Sequence, residues 1–182
     1  MSVAAVLLAN GFEELEAITV IDVLRRAECE VRILSADDSD AVCSTHGVTL
    51  AADAPLSSVG DERFDLVVCP GGMPGATHLA ENEGVRSLLR RTWESGAMVA
   101  AICAGPLALH AAGLLEGRRF TVFPGHESTI AEGKWTGADV EEDERVVTSR
   151  GPGTALPFAL HLAARLRGDA VAANLRKQML VS

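Results

Sequence analysis

The run Met98-Val99-Ala100-Ala101-Ile102-Cys103-Ala104-Gly105-Pro106 sets a single cysteine at the point where a strand turns into a helix. Met98–Ile102 is apolar throughout and reads as a buried strand that Cys103 terminates. Ala104-Gly105-Pro106 opens a helix, Gly105–Ala112, that Gly113 stops. A thiol at such an elbow meets backbone N–H groups that have no partner within the helix, and it meets the positive end of the helix dipole. Both favour thiolate over thiol. The small residues on the helix side let the backbone turn sharply and leave the sulfur accessible. A cysteine taken at random is a packing residue; the elbow is what singles out Cys103.

On either side of the elbow, short apolar runs alternate with helical patterns. Strands are expected at Val3–Ala9, Val31–Ser35, Leu66–Cys69, Met98–Ile102, Thr121–Phe123 and Val146–Ser149, and helices at Glu13–Ala27, Glu83–Glu94, Gly105–Ala112, Gly153–Arg167 and Asp169–Leu175. This alternation implies right-handed crossovers and an α/β fold, a mostly parallel sheet covered on both faces. Ala41–Ala51 alternates around Thr45-His46-Gly47 and reads as a small antiparallel hairpin. The acidic run Glu141-Glu142-Asp143-Glu144 reads as a solvated turn between two strands. No repeat or linker divides the chain, so residues 1–182 are expected to form one domain.

Charge and cysteine usage remove several classes of function. A formal charge of -9, from 16 Lys+Arg against 25 Asp+Glu, argues against binding nucleic acid or an anionic membrane. No apolar run approaches the ~20 residues needed to cross a bilayer. Met1-Ser2-Val3 leads into a strand without a basic leader, so a cytoplasmic location is expected. Cys29, Cys43, Cys69 and Cys103 form no CxxC or Cys/His cluster, which argues for free thiols and against a metal site.

In parallel sheets, ligands bind beyond the carboxyl ends of the strands, at the switch in strand order. Five loops are expected on that rim: Asn10–Glu14, Pro70–Gly75, the Cys103 elbow, Phe123–His126 and Arg150–Gly153. Pro70-Gly71-Gly72 is not a phosphate loop, since GxxxxGK[ST] is absent. A glycine N–H there, paired with that of Ala104, can hold an oxyanion, an effect worth ~3 kcal/mol per donor. The first helix carries Glu13, Glu14 and Glu16, ordinarily a response to the helix dipole. Glu16 shares a face with Val20 and Val23, where a desolvated carboxyl would keep a proton near neutrality. Periodicity alone does not choose among the three. Of five histidines, His46 and His78 fall in loop or hairpin settings, His110 reads as a neutral core residue, and His161 as a packing or surface residue. His126 alone lies on the rim, beside Arg150, a candidate carboxylate or phosphate anchor.

Four stretches, Gly11-Phe12-Glu13-Glu14-Leu15-Glu16, Pro70-Gly71-Gly72, Ala100–Pro106 and Thr148–Thr154, resemble the ThiJ/PfpI superfamily in the branch of the parkinsonism-associated protein deglycase and its bacterial homologues. The resemblance runs from Val3 to about Leu180. It implies a flavodoxin-like three-layer α/β sandwich and a homodimer. It places the reactive cysteine at Cys103, its partner carboxyl at Glu16, the backbone oxyanion donors at Gly72 and Ala104, and the arginine beside the cysteine at Arg150; Gly71 and His126 join Arg150 as substrate-binding candidates. Phe123 stands where many relatives have a histidine, so any histidine role falls to His126. Thr45 stands where some relatives have an arginine, which leaves Arg150 as the anion anchor.

Three activities are compatible with a cysteine elbow. The first is a cofactor-free glyoxalase or deglycase acting on methylglyoxal-like α-ketoaldehydes, a small carbonyl substrate, to give 2-hydroxy acids. The second is a redox sensor whose Cys103 oxidises to sulfinic acid. The third is an amidotransferase- or peptidase-like hydrolase. It lacks support in the residues: Ala163, not Glu, lies two positions after His161, and Ala104 occupies the peptidase histidine position.

Overall fold

The computed structural model describes residues 1–181. In chain order the elements are β1 (Val3–Leu8), α1 (Glu14–Arg26), β2 (Glu30–Ser35), β3 (Ala41–Cys43), β4 (Thr49–Ala51), β5 (Ala54–Pro55), β6 (Leu66–Cys69), α2 (Gly75–Glu81), α3 (Glu83–Glu94), β7 (Met98–Ile102), α4 (Pro106–Ala111), β8 (Arg119–Phe120), β9 (Lys134–Trp135), β10 (Val140–Asp143), β11 (Val146–Ser149), α5 (Ala155–Arg167) and α6 (Asp169–Gln178). Seven strands form one sheet in the order β10-β11-β7-β6-β1-β2-β5. All neighbours in it are parallel except β10 and β11.

The central strands are apolar along their whole length because both faces are covered. Ala4, Val6 and Leu8 of β1, with Ala100 and Ile102 of β7, pack beneath α1, α5 and α6. The alternate residues, Ala5 and Leu7, Val99 and Ala101, pack beneath α2, α3 and α4. This is the expected three-layer α/β sandwich. The expected hairpin is present as β3 and β4, with Val42 opposite Leu50. No helix among the described residues is long and apolar enough to cross a membrane.

Several boundaries differ from the sequence reading, each for a local reason. Thr121–Phe123 is not a strand: Thr121 N–H donates to the Thr148 hydroxyl at 2.9 Å and Phe123 N–H to the Cys103 carbonyl at 2.9 Å, leaving no ladder partner. The nearby pairing is instead β8 with β9, two residues earlier. The acidic run is mostly strand, not turn. Glu141 and Asp143 bond Arg119, and Glu142 meets His161 and Arg165, so opposite charge offsets its repulsion. Only Glu144, at φ +56°, makes the turn. Helix α2 was not expected, and His78 lies on it rather than in a loop. His110 is half-buried beside Glu132 at 3.6 Å rather than a core residue.

Candidate active site

The switch in strand order falls between β1 and β6, and the loops after both meet there. Glu13 N–H donates to the Gly71 carbonyl at 2.9 Å, and Gly75 N–H to that of Gly11 at 3.3 Å. One strand further on, Cys103 sits at φ +61°, a left-handed conformation that is strained for a residue with a Cβ. Its backbone is held on both sides: its N–H donates to the Ser149 carbonyl at 2.9 Å, and its carbonyl accepts from Phe123. The elbow is therefore fixed by β11 and by the segment before His126. The helix it opens, α4, is only six residues long, so the nearest N–H groups matter more than its dipole.

Glu13 caps α1, its Oε2 accepting the Glu16 N–H at 2.8 Å. That fixes the first turn and turns Glu16, with no exposed surface, inward toward the elbow. Glu16 Oε2 accepts the Gly71 N–H at 2.8 Å, while Oε1 is buried without a partner. Burial raises the Glu16 carboxyl from 4.5 to about 7, opposed by the Gly71 hydrogen bond and the Cys103 thiol. Cys103 is pushed up to about 12, first by burial and then by the neighbouring Glu16 carboxylate. The N–H groups of Ala104 and Gly72 act on the sulfur in the opposite sense.

These opposing shifts amend the expectation that the elbow alone lowers the thiol. Two anions side by side in a buried site are costly, so the pair retains one proton between its groups. Its place is decided by the available donors. The N–H groups of Ala104 and Gly72 lower the thiol, whereas Oε1 of Glu16 is buried without a hydrogen-bond partner. A proton on Oε1 would give that atom a hydrogen to offer the thiolate, the arrangement that opposes the burial pushing the thiol up.

Cys103, Glu16, Gly71, Gly72 and Ala104 thus come together, and Gly71 does so by anchoring Glu16. A Cβ on Gly71 would lie 2.6 Å from that of Cys103 and 2.9 Å from Glu16 Oε2, so glycine is what allows the approach. The histidine and arginine candidates stand differently. His126 makes no side-chain hydrogen bond among the described residues; Phe123, three positions earlier, bonds the elbow. Arg150 Nε lies 3.4 Å from Asp139, and its Nη1 donates to the Gly137 carbonyl at 3.3 Å. Asp139 went unnoticed in the sequence because nothing local marks it as the arginine's partner. Cys69 is fully buried, its thiol pushed up to about 12 by that burial, and serves packing. Glu13, Glu14 and His46 bring one ligand atom each within 4.8 Å of one another, the cation-ligating composition found among the described residues. Glu13 is engaged in capping α1, and Glu14 pairs with His46 at 2.9 Å.

Residues 2–165 match the DJ-1/PfpI family. The Drosophila melanogaster protein dj-1beta is 37% identical over 98% of this chain and 97% of its own, and its crystal structure superposes with a TM-score of 0.96, covering 100% of both chains. A Caenorhabditis elegans relative described as the glutathione-independent glyoxalase DJR-1.2 is 34% identical over 93% of this chain and 91% of its own. A solved structure of Toxoplasma gondii DJ-1, described as oxidised, is 33% identical with a TM-score of 0.94, covering 99% of this chain and 98% of that one. With its sequence and its flavodoxin-like fold in agreement, the chain belongs to the DJ-1/PfpI family.

Proposed function

We propose that this protein is a cysteine-dependent glyoxalase or deglycase that needs no glutathione and acts on methylglyoxal-like α-ketoaldehydes or their adducts. The observation that carries the reading is the buried Glu16 carboxyl, raised to about 7, beside a cysteine elbow where the N–H groups of Gly72 and Ala104 favour charge on sulfur. The Cys103 thiolate attacks the aldehyde carbon, and the C=O electron pair moves onto oxygen. As sulfur becomes bonded to carbon, the N–H groups of Gly72 and Ala104 are freed for that oxyanion. Glu16 delivers its proton to the oxygen, then takes the proton from C1 as the electron pair moves onto the C2 oxygen. Glu16 returns that proton to C2 while the C1 hydroxyl proton passes to the C2 oxygen, leaving a thioester on sulfur. Water cleaves the thioester, releasing a 2-hydroxy acid and the thiol. A carboxyl near neutrality suits this relay because it gives and takes a proton at similar cost. The C. elegans glyoxalase supports the reading.

The exposed side chains of Leu15 and Ile18 on α1, with Val48 beside the hairpin, support a homodimer. Four unpaired cysteines fit a reducing cytoplasm. The second reading, a redox sensor, draws support from the oxidised relative and from Glu16, whose acid form would donate a hydrogen bond to a Cys103 sulfinate. For the hydrolase reading, His161 does pair with a glutamate, Glu142 at 2.6 Å, but neither is hydrogen-bonded to the elbow among the described residues.

The deciding test is conversion of methylglyoxal to lactate without glutathione, scored by chirality, for the wild type and Cys103→Ser. Lactate of one hand, well above one equivalent per chain and lost in the variant, is expected. Aldehyde loss without lactate would mean reversible trapping and would leave the sensor reading in front. Glu16→Gln should then abolish turnover while sparing peroxide oxidation of Cys103 to a greater extent.

A further inference from the structure

Phe123 is an aromatic side chain that the mechanism above leaves unused. It is 44% exposed, yet its backbone is one of the two ties that hold the elbow, through the 2.9 Å hydrogen bond to the Cys103 carbonyl. Its ring lies over Gly151, where a Cβ would sit 3.2 Å from Cδ2, so the next loop of the rim is shaped to receive it. Between these loops lies a cavity of about 230 Å³, lined by Phe123, Pro124, Arg150, Gly151, Pro152 and Thr154. The two prolines and the aromatic ring give it an apolar wall. Its one charged member, Arg150, is engaged by Asp139, and the Thr154 hydroxyl is bonded to Ser149 at 2.7 Å. Little in this cavity asks for a polar ligand group.

We propose that this cavity is a side-chain subsite of the Cys103 site, and that it makes aryl- or bulky alkyl-substituted 1,2-dicarbonyls better substrates than methylglyoxal. The inference rests on the reading of Cys103 as the nucleophile toward α-ketoaldehydes. The aldehyde carbon bonds the sulfur as described, and the group on the ketone carbon extends toward Phe123. A methyl group leaves the cavity unfilled. A phenyl ring occupies far more of it and meets the Phe123 ring edge or face. Phe123 is then a specificity determinant, with no part in proton transfer.

The test compares kcat/KM for phenylglyoxal and for methylglyoxal in the wild type, Phe123→Ala and Phe123→Leu, alongside protection of Cys103 from alkylation by each aldehyde, read at that residue by mass spectrometry. The wild type should favour phenylglyoxal about tenfold, the ratio falling to near one in Phe123→Ala and less far in Phe123→Leu, which keeps an apolar wall. An unchanged ratio in Phe123→Ala, or a wild type indifferent to the substituent, overturns the subsite. If neither aldehyde is turned over while phenylglyoxal still protects Cys103 more strongly in a Phe123-dependent way, the enzymatic reading fails and the subsite stands. Loss of both signals overturns the two together.

Discussion

Glu16 carries the chemistry of the proposal and also a measurable effect on the fold. Its carboxyl is raised from 4.5 to about 7 by burial, so the native state holds a proton that the unfolded chain gives up earlier. With fewer protons bound in the unfolded state across that window, unfolding becomes easier as pH rises. The contribution is fully present below about pH 4.5 and is lost as pH climbs through about 7. At ~1.36 kcal/mol per pH unit, the window spans on the order of 3 kcal/mol. The count of protons is the same whether the retained one sits on sulfur or on oxygen. Denaturant unfolding across this range should show the decline in the wild type and a flatter profile in Glu16→Gln; parallel profiles would contradict the raised carboxyl. At this scale the elbow was legible, because an apolar run ends at Cys103 and Gly105-Pro106 opens a helix; which of Glu13, Glu14 and Glu16 turns inward was not, since periodicity does not choose among them. The Cys103–Glu16 coupling was not, since it arises from packing between segments 87 residues apart in sequence.

The elements place these residues by their ends. Strands β1, β6, β7 and β11 were readable because a parallel sheet covered on both faces demands continuous apolar runs. Helix α2 escaped because Gly75-Ala76-Thr77-His78 shows no apolar period and follows a Pro/Gly loop. Strand β10 escaped because its acidic side chains are matched by Arg119, His161 and Arg165 from other segments, a compensation invisible locally. The loop between β6 and α2 has little freedom: Gly72 sits at φ +86°, and Gly71 leaves no room for a methyl group. Gly71→Ala should therefore push Glu16 and Cys103 apart. The expected result is a loss of at least about a hundredfold in kcat/KM with an unfolding penalty of about 1–3 kcal/mol, measured by steady-state kinetics and by denaturant titration. Activity within a few-fold of wild type would show that the close approach is dispensable.

On the scale of the whole molecule, two apolar layers flank one sheet, and the reactive pair lies at the end of the layer under α1 and α5. The outer face of α1 keeps Leu15 and Ile18 in the open, one helical turn apart, at 50% and 40% exposure. The hairpin reaches the same helix, where His46 pairs with Glu14, and leaves Val48, two residues on, exposed. An apolar patch of this kind on an acidic protein is suited to a second copy of the chain. Sedimentation should give twice the chain mass for the wild type and the chain mass for Ile18→Asp, with circular dichroism unchanged. A wild type already monomeric at micromolar concentration would remove the dimer. The layered architecture could be read from strand–helix alternation, whereas the exposed face of α1 could not: its apolar residues look like core until packing shows which side the sheet takes.

The claim on which the rest depends is that Cys103 is a thiolate beside a protonated Glu16. Thiolate absorbance followed against pH, with Cys103→Ser as the blank, reads this directly. The account predicts a Cys103 thiolate already present at neutral pH. A thiol that stays protonated until the pH passes the ordinary value of about 8.5 would place the proton on sulfur and contradict it.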